Sequence, residues 1–249
     1  MLVPYLVAAL AVIGLEVFFV YKATANKKRA NLIAGTPVGT VAELGPGPAK
    51  VQGRAVAFGD PLRAPLSDRA CVYYDFQVEE KRTVRRGPFG TSSHWKTVID
   101  DVQSIACGVD DGTGVVGLDL REAELVLNPG TQLRSGVWND APSELERVLN
   151  ERYGRSSKGL IFNKGMRYTE TLIEVGEDLL VLGTSGVAPG GNWQFGKGDV
   201  PHIVSNKSQG SLLSSYKGYL LFWSVLAVLV LVACLALGLK LFVDLAGFA

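Results

Sequence analysis

The residues of this chain that could do chemistry are few and widely spaced. Cys71, Cys107 and Cys234 are its only cysteines, and His94 and His202 its only histidines. A nucleophilic thiol needs a base within hydrogen-bond reach, yet the two histidines stand about a hundred residues apart and no Gly-x-Ser-x-Gly signature accompanies them. Cys234 falls inside an apolar run. The remaining two cysteines are too few for a disulfide framework and, even with both histidines, offer no obvious zinc site. A Cys71–Cys107 disulfide stays open, although buried free cysteines in strands are the commoner arrangement. Asp110 and Asp111 could hold a hard cation or act as an acid/base pair, but Asp-Asp-Gly-Thr-Gly is turn composition. Gly196-Lys-Gly-Asp is too short for a phosphate loop. The sequence therefore predicts no catalytic residue, no metal and no cofactor.

Two other groups of residues stand out. Lys81, Arg82, Arg85 and Arg86 form a basic cluster just before Phe89. An exposed aromatic beside cations suits an interface, either with an acidic partner or with anionic headgroups, where each cation contributes about 1 kcal/mol. The bland alternative is a solvated hairpin tip. Glu16 is the one ionisable residue within an otherwise apolar N-terminal run, and intramembrane acids default to a functional reading. The bland reading there is a carboxyl near the interface, or one protonated between packed helices.

These residues need elements to position them. Residues 219–239 are twenty-one residues without charge or proline. At ~1.5 Å per residue they span ~31 Å, the thickness of a bilayer's hydrocarbon core, with Tyr219 and Trp223 at one end where headgroups favour aromatic rings. The apolar N-terminal run is followed, not preceded, by Lys22, Lys27, Lys28 and Arg29, which favours an uncleaved anchor over a signal peptide. The boundaries read as a transmembrane helix over 1–21, a connector over 22–50, a β domain over 51–207, a juxtamembrane helix over 208–217, a transmembrane helix over 218–240 and a tail over 241–249. The four cations above, with Lys207 and Lys217, lie on the domain side, against Lys240 alone on the other. The positive-inside rule then puts the domain in the cytoplasm and both termini across the membrane. The net charge of +1 gives no reason to expect a nucleic-acid partner.

The central domain reads as mainly β. Residues 50–57, 71–80, 94–99 and 103–109 carry strand patterns, and Asp110 to Gly114 turns the chain into Val115–Leu120 as a hairpin. A strand at 124–127 follows. One helix, capped by Asp140 with Pro142 in its first turn, runs to Gly154 with Leu145, Val148 and Leu149 on one face. Residues 167–175 and 179–184 form a second hairpin, and Phe195 and 202–204 the last short strands. The fold class is an antiparallel α+β domain, a small barrel with one packed helix, bracketed by two transmembrane helices.

Several motifs occur in a familiar order: Pro65-Leu-Ser-Asp, Val72-Tyr-Tyr, Val109-Asp-Asp-Gly-Thr-Gly114, Arg152-Tyr-Gly154, Arg167-Tyr-Thr-Glu-Thr-Leu-Ile-Glu-Val-Gly176, and Leu212-Leu213 before the second membrane helix. The chain resembles the GIDE (beside-a-membrane) domain of Mulan-type membrane E3 ubiquitin ligases and their prokaryotic relatives, over roughly 38–239. In the eukaryotic relatives a zinc-binding RING follows the second helix; here residues 240–249 contain neither cysteine nor histidine, so no ubiquitin-transfer residue carries over. The resemblance implies a module that recruits or senses a protein partner at the lipid bilayer. The alternatives are an enzyme or ligase accessory using Cys and His, and a small homo-oligomeric channel or transporter subunit with Glu16 at its interface.

Overall fold

The computed structural model describes residues 2–85, 90–135, 143–154, 165–188 and 191–246. The chain divides into two compact units, Val38–Lys207 and a helical unit made of Met1–Pro37 with Ser208–Ala249.

The helical unit consists of α1 (Leu2–Gly35) and α3 (Gln209–Ala246). The sequence ends the first helix at residue 21, but α1 continues fourteen residues further, through Lys22–Arg29 to Gly35. The Ala- and Lys-rich segment is a good helix former, and only Gly35-Thr-Pro37 stops it. α3 absorbs the juxtamembrane segment as expected and runs into the apolar stretch without a break. Both helices are long and apolar enough to cross a membrane. Their apolar side chains are exposed on all sides, Leu221, Leu235 and Leu239 among them, a surface that water would penalise and lipid would not. They meet through an aromatic cluster in which Phe18 and Phe19 each lie 5.7 Å from the Trp223 ring.

The β unit holds twelve strands among the described residues. β1 (Gly47–Ala57), β5 (Cys107–Asp110), β6 (Val115–Leu118), β11 (Trp193–Gly196) and β10 (Asp178–Val187) form a sheet in that order. β10 pairs back onto β1 from Gly47↔Ser185 to Arg54↔Asp178, which closes the five strands into a barrel. β12 (Ile203–Ser205) and β7 (Glu124–Leu125) extend the sheet beyond β10. Val51, Val109, Val116, Val181 and Phe195 alternate inward and fill the barrel.

The second sheet is open. β3 (Ala70–Arg85) is its central strand. It is flanked on one edge by β9 (Met166–Glu174), which in turn pairs with β8 (Thr131–Ser135), and on the other by β2 (Leu62–Arg63) and β4 (Thr91–Ser104). α2 (Ser143–Tyr153) lies against this sheet as expected, with Leu145 and Leu149 packed among Tyr74, Phe76, Val78 and Tyr168. Each buried leucine contributes about 1.5–3 kcal/mol. Asp140 and Pro142, expected to start that helix, lie outside the described residues.

Two expectations are overturned. The second hairpin, expected over 167–175 and 179–184, does not form: the chain turns at Gly176, but β9 pairs with β3 and β8 in the open sheet while β10 pairs with β1, β11 and β12 in the barrel sheet, so the turn passes the chain from one sheet to the other. The separate strands at 94–99 and 103–109 are instead a continuous β4 ending at Ser104, then a distinct β5 starting at Cys107. Asp100-Asp101 looks like a turn in sequence, but both carboxylates are satisfied across the strand, Asp100 by Gln77 and Asp101 by the network below. The Asp-Gly hairpin does form: Gly112 has φ +85° between β5 and β6, a conformation that favours glycine.

Candidate functional site

Asp110 and Asp111 resolve as turn residues. Asp110 accepts from the Gly112 N–H, while Asp111 accepts from the Thr113 N–H and hydroxyl and, 2.7 Å away, from the Val41 N–H. The hairpin thereby clasps the 3-10 turn Val41–Glu43 onto the barrel. Burial opposes ionisation of Asp111, but these hydrogen bonds outweigh it and hold the carboxyl below its ordinary range.

The cysteines and histidines do not converge. Cys71 lies in the open-sheet core and Cys107 in the barrel core, both buried and free, so the disulfide left open by the sequence is not made. Burial, reinforced by Glu170 for Cys71 and by Asp119 for Cys107, pushes each thiol up to about 11. His202 is buried edge-on against Phe195, and burial lowers its pKa. His94 is exposed on β4. Among the described residues no hydrogen bond joins a cysteine to a histidine, and no group of three His, Cys, Asp or Glu side chains is placed to hold a metal.

The densest polar cluster pins the end of α2. Asp101 accepts from the Tyr153 hydroxyl at 2.6 Å, the Tyr74 hydroxyl at 3.0 Å and the Gln103 amide at 3.1 Å, and pairs with Arg152 at 3.4 Å. Arg152 also donates to the Tyr74 hydroxyl and lies over both tyrosine rings. Burial works against the Asp101 charge, but its donors outweigh this and lower its pKa. Burial and the bond to Asp101 raise both tyrosines. The cluster is an anchor: Asp101 is met by four donors, and Tyr74, Tyr153 and Arg152 tie the end of α2 to β3 and β4.

A second buried acid went unread in the sequence. Glu170 on β9 is fully buried, and its Oε1 accepts from the Leu66 N–H at 2.6 Å. The carboxylate thus supports the Pro65-Leu-Ser-Asp loop, so two of the sequence motifs meet in space. The signal was present: Met166, Tyr168, Glu170 and Leu172 alternate on the buried face of β9.

The basic cluster belongs to a projecting arm. β9 stops pairing with β3 at Glu80↔Met166, whereas the β3–β4 pairing continues from Lys81↔Trp95 to Arg85↔Thr91. Lys81 and Arg82 are exposed on this ribbon, and Arg85 ends its first strand. Arg86 and Phe89 lie outside the described residues. Arg167 stacks 4.4 Å over the Trp95 ring and pairs with Glu79 at 3.1 Å, which fixes the base of the arm. Glu16, the other expected site residue, is half-buried on α1, with Oε2 shielded and without a hydrogen-bond partner among the described residues. It shares a helix face with Phe19, one turn from the contact with Trp223.

The barrel has one weak seam. β6 and β11 run parallel and share only Gln194↔Gly117 and Phe195↔Leu118. Beside that seam a groove of about 410 Å³ opens, lined by Phe58, Val115, Trp193, Asn192 and Gln194 over a floor of Cys107 and Leu118. Phe58 is 55 % and Val115 48 % exposed. The groove thus presents exposed apolar groups beside the uncharged amides of Asn192 and Gln194.

A family model for GIDE, described as E3 ubiquitin ligase, matches residues 76–238. The chain belongs to the GIDE family. No curated protein and no solved structure matches it. The matched span begins in the middle of β3, yet the barrel of this GIDE domain is closed by β1, and the compact unit starts at Val38. The physical domain therefore begins about forty residues before the match. It ends where α3 takes over, and the match continues through the apolar part of that helix.

Proposed function

We propose that this GIDE protein is a membrane-anchored interaction module whose β domain captures a protein partner in the groove beside the β6–β11 seam. The observation that carries this reading is the groove itself: exposed Phe58 and Val115 with Trp193 around an uncharged rim, on a domain whose cysteines are buried and whose densest polar cluster anchors α2. Kinship with E3 ubiquitin ligases fits a recruiting role, since a ligase needs a surface that selects its target. A cysteine- or histidine-based enzyme is disfavoured by thiols held near 11. The test is a photo-crosslinking residue at Phe58 or Val115 of the full chain in native membranes, with Val102 on β4 as the exposed control. A discrete adduct at the first two positions and not the third supports the module; equal labelling at all three sinks it.

The same reading places the β domain on the cytoplasmic side, with both helices crossing the bilayer and both termini opposite. The distribution of cations supports it: Lys22–Arg29 follow the apolar run of α1 and Lys217 precedes that of α3, on the side of each run that leads in sequence to the domain. Protease added to sealed inside-out vesicles is expected to cut the domain, and in right-side-out vesicles to spare it; the reverse pattern inverts the topology.

A further inference from the structure

We infer that the β3–β4 arm is a finger that enters the headgroup layer of an anionic membrane. The inference rests on the membrane-anchored reading above. The described residues of the projecting ribbon, 81–85 and 91–95, include Lys81, Arg82 and Arg85 and none of the chain's 24 carboxylates. The ribbon that projects from a nearly neutral chain is thus purely cationic.

The register shows how that charge is displayed. Side chains at directly paired positions share a face. Lys81 and Trp95 stand on one face of the ribbon, and Arg82, His94 and Val84 on the other. Arg82 is partly offset by Glu80 at 3.8 Å, whereas Lys81 has no ion-pair partner among the described residues. Threonine and serine hydroxyls at Thr83 and Ser93, 3.0 Å apart, add donors suited to phosphate oxygens.

Cations on both faces decide between the two kinds of acidic partner. A folded acidic protein covers one face of a ribbon and leaves the other in water. A headgroup layer surrounds both, and it also accepts Val84, 49 % exposed, at its apolar boundary. The connections to the two apolar helices are short: three residues separate the end of α1 from the first bridge of the domain at Gly39, and β12 is followed within four residues by α3.

The experiment uses the full chain in nanodiscs of pure phosphatidylcholine, offered acceptor vesicles of phosphatidylcholine alone or with 30 mol% phosphatidylglycerol. Wild type is expected to capture the anionic vesicles at low salt and release them at 0.5 M salt. Lys81→Ala/Arg82→Ala, with an unchanged melting transition, is expected to need about 25-fold more lipid, from about 1 kcal/mol per cation. Capture of neutral vesicles to the same extent, wild-type capture by the double variant, or preference for immobilised polyglutamate over anionic vesicles each overturns the inference. Failure of the anchoring reading registers separately, as a chain that does not incorporate into the nanodisc at all.

Discussion

At the scale of single residues, the chain separates groups that look reactive from groups that are merely placed. Cys71 and Cys107 are the first kind in sequence and the second in structure. With their thiols near 11, less than about one part in a thousand is thiolate at neutral pH. Both are expected to resist maleimide in the folded protein and to react fully in denaturant, with mass spectrometry counting the adducts; rapid native labelling of either would restore a nucleophile to the domain. Two groups make the fold sensitive to acid in separate windows. The pKa of His202 is lowered by burial, so below its ordinary value of 6.5 the unfolded chain takes up a proton that the folded one resists, and stability falls with pH. The Asp101 pKa is also lowered, so its contribution is present above its ordinary value of 3.8 and is lost as pH falls through the folded value. Denaturant unfolding across pH is expected to show two declines, the upper one removed by His202→Leu and the lower one reduced by Asp101→Asn, with Asp111, also held below its ordinary range, supplying the remainder. The second substitution also costs about 1–3 kcal/mol at neutral pH, because it takes a charge from four donors. Sequence pattern had the means to find Glu170 on its alternating strand, but not His202, whose burial depends on Phe195 arriving beside it from another strand.

At the scale of elements, what was legible depended on how far away the stabilising partner lies. Helices and tight hairpins announce themselves through neighbours in sequence, and α1, α3 and the β5–β6 hairpin were readable for that reason, whereas β9 and β10, adjacent in sequence, find their partners in different sheets. β2 and β8 were not, because Leu62–Arg63 and Thr131–Ser135 carry no alternation of their own and exist as strands only through β3 and β9. β4 was broken at Asp100-Asp101 because the residues that satisfy that pair, Gln77, Tyr74 and Tyr153, lie up to fifty-two residues away. The placement of β8 yields a sharp test. A Cβ added at Gly130 would stand 1.7 Å from the Glu170 carbonyl oxygen, a backbone atom that cannot swing aside. Gly130→Ala is therefore expected to detach β8 from β9 and to speed amide exchange across Thr131–Ser135, while β1 and β10 stay protected. Unchanged exchange in β8 would mean that the strand tolerates a shift of its whole first turn. The long free edge of β4 has its own defence: a bulge beside Val98, with Lys96 and Asp100 close by, discourages a foreign strand from adding to it.

At the scale of the whole molecule, the chain is a β domain inserted between two apolar helices, and composition made that plan readable before any strand was assigned. The domain's surface was the part that composition concealed. The basic cluster was visible as a run of letters, but the strand extension that lifts it off the sheet follows from where β9 stops, at Met166. The groove was hidden for a similar reason: Phe58, Val115 and Trp193 come together only because β6 and β11, far apart in sequence, meet as parallel neighbours for just two residue pairs. Glu16 belongs to this scale too, since its partner would come from another helix. Glu16→Gln is expected to leave the melting of the β domain unchanged and to alter the detergent-resistant oligomer pattern of the full chain, as a shielded carboxyl oxygen without a partner is replaced by an amide. An identical pattern on native gels would assign Glu16 to the interface with headgroups.

The pairing of β1 with β10 also sets a clock. Gly47 meets Ser185, so the strand that opens the barrel waits for one synthesised 138 residues later. At roughly 5–20 residues per second, that is on the order of ten to thirty seconds on the ribosome with an unpaired edge. The nascent N-terminal helix is complete before this interval begins. The cell therefore handles a half-made barrel behind a finished apolar helix, and any factor that shields exposed strand edges must work within that interval.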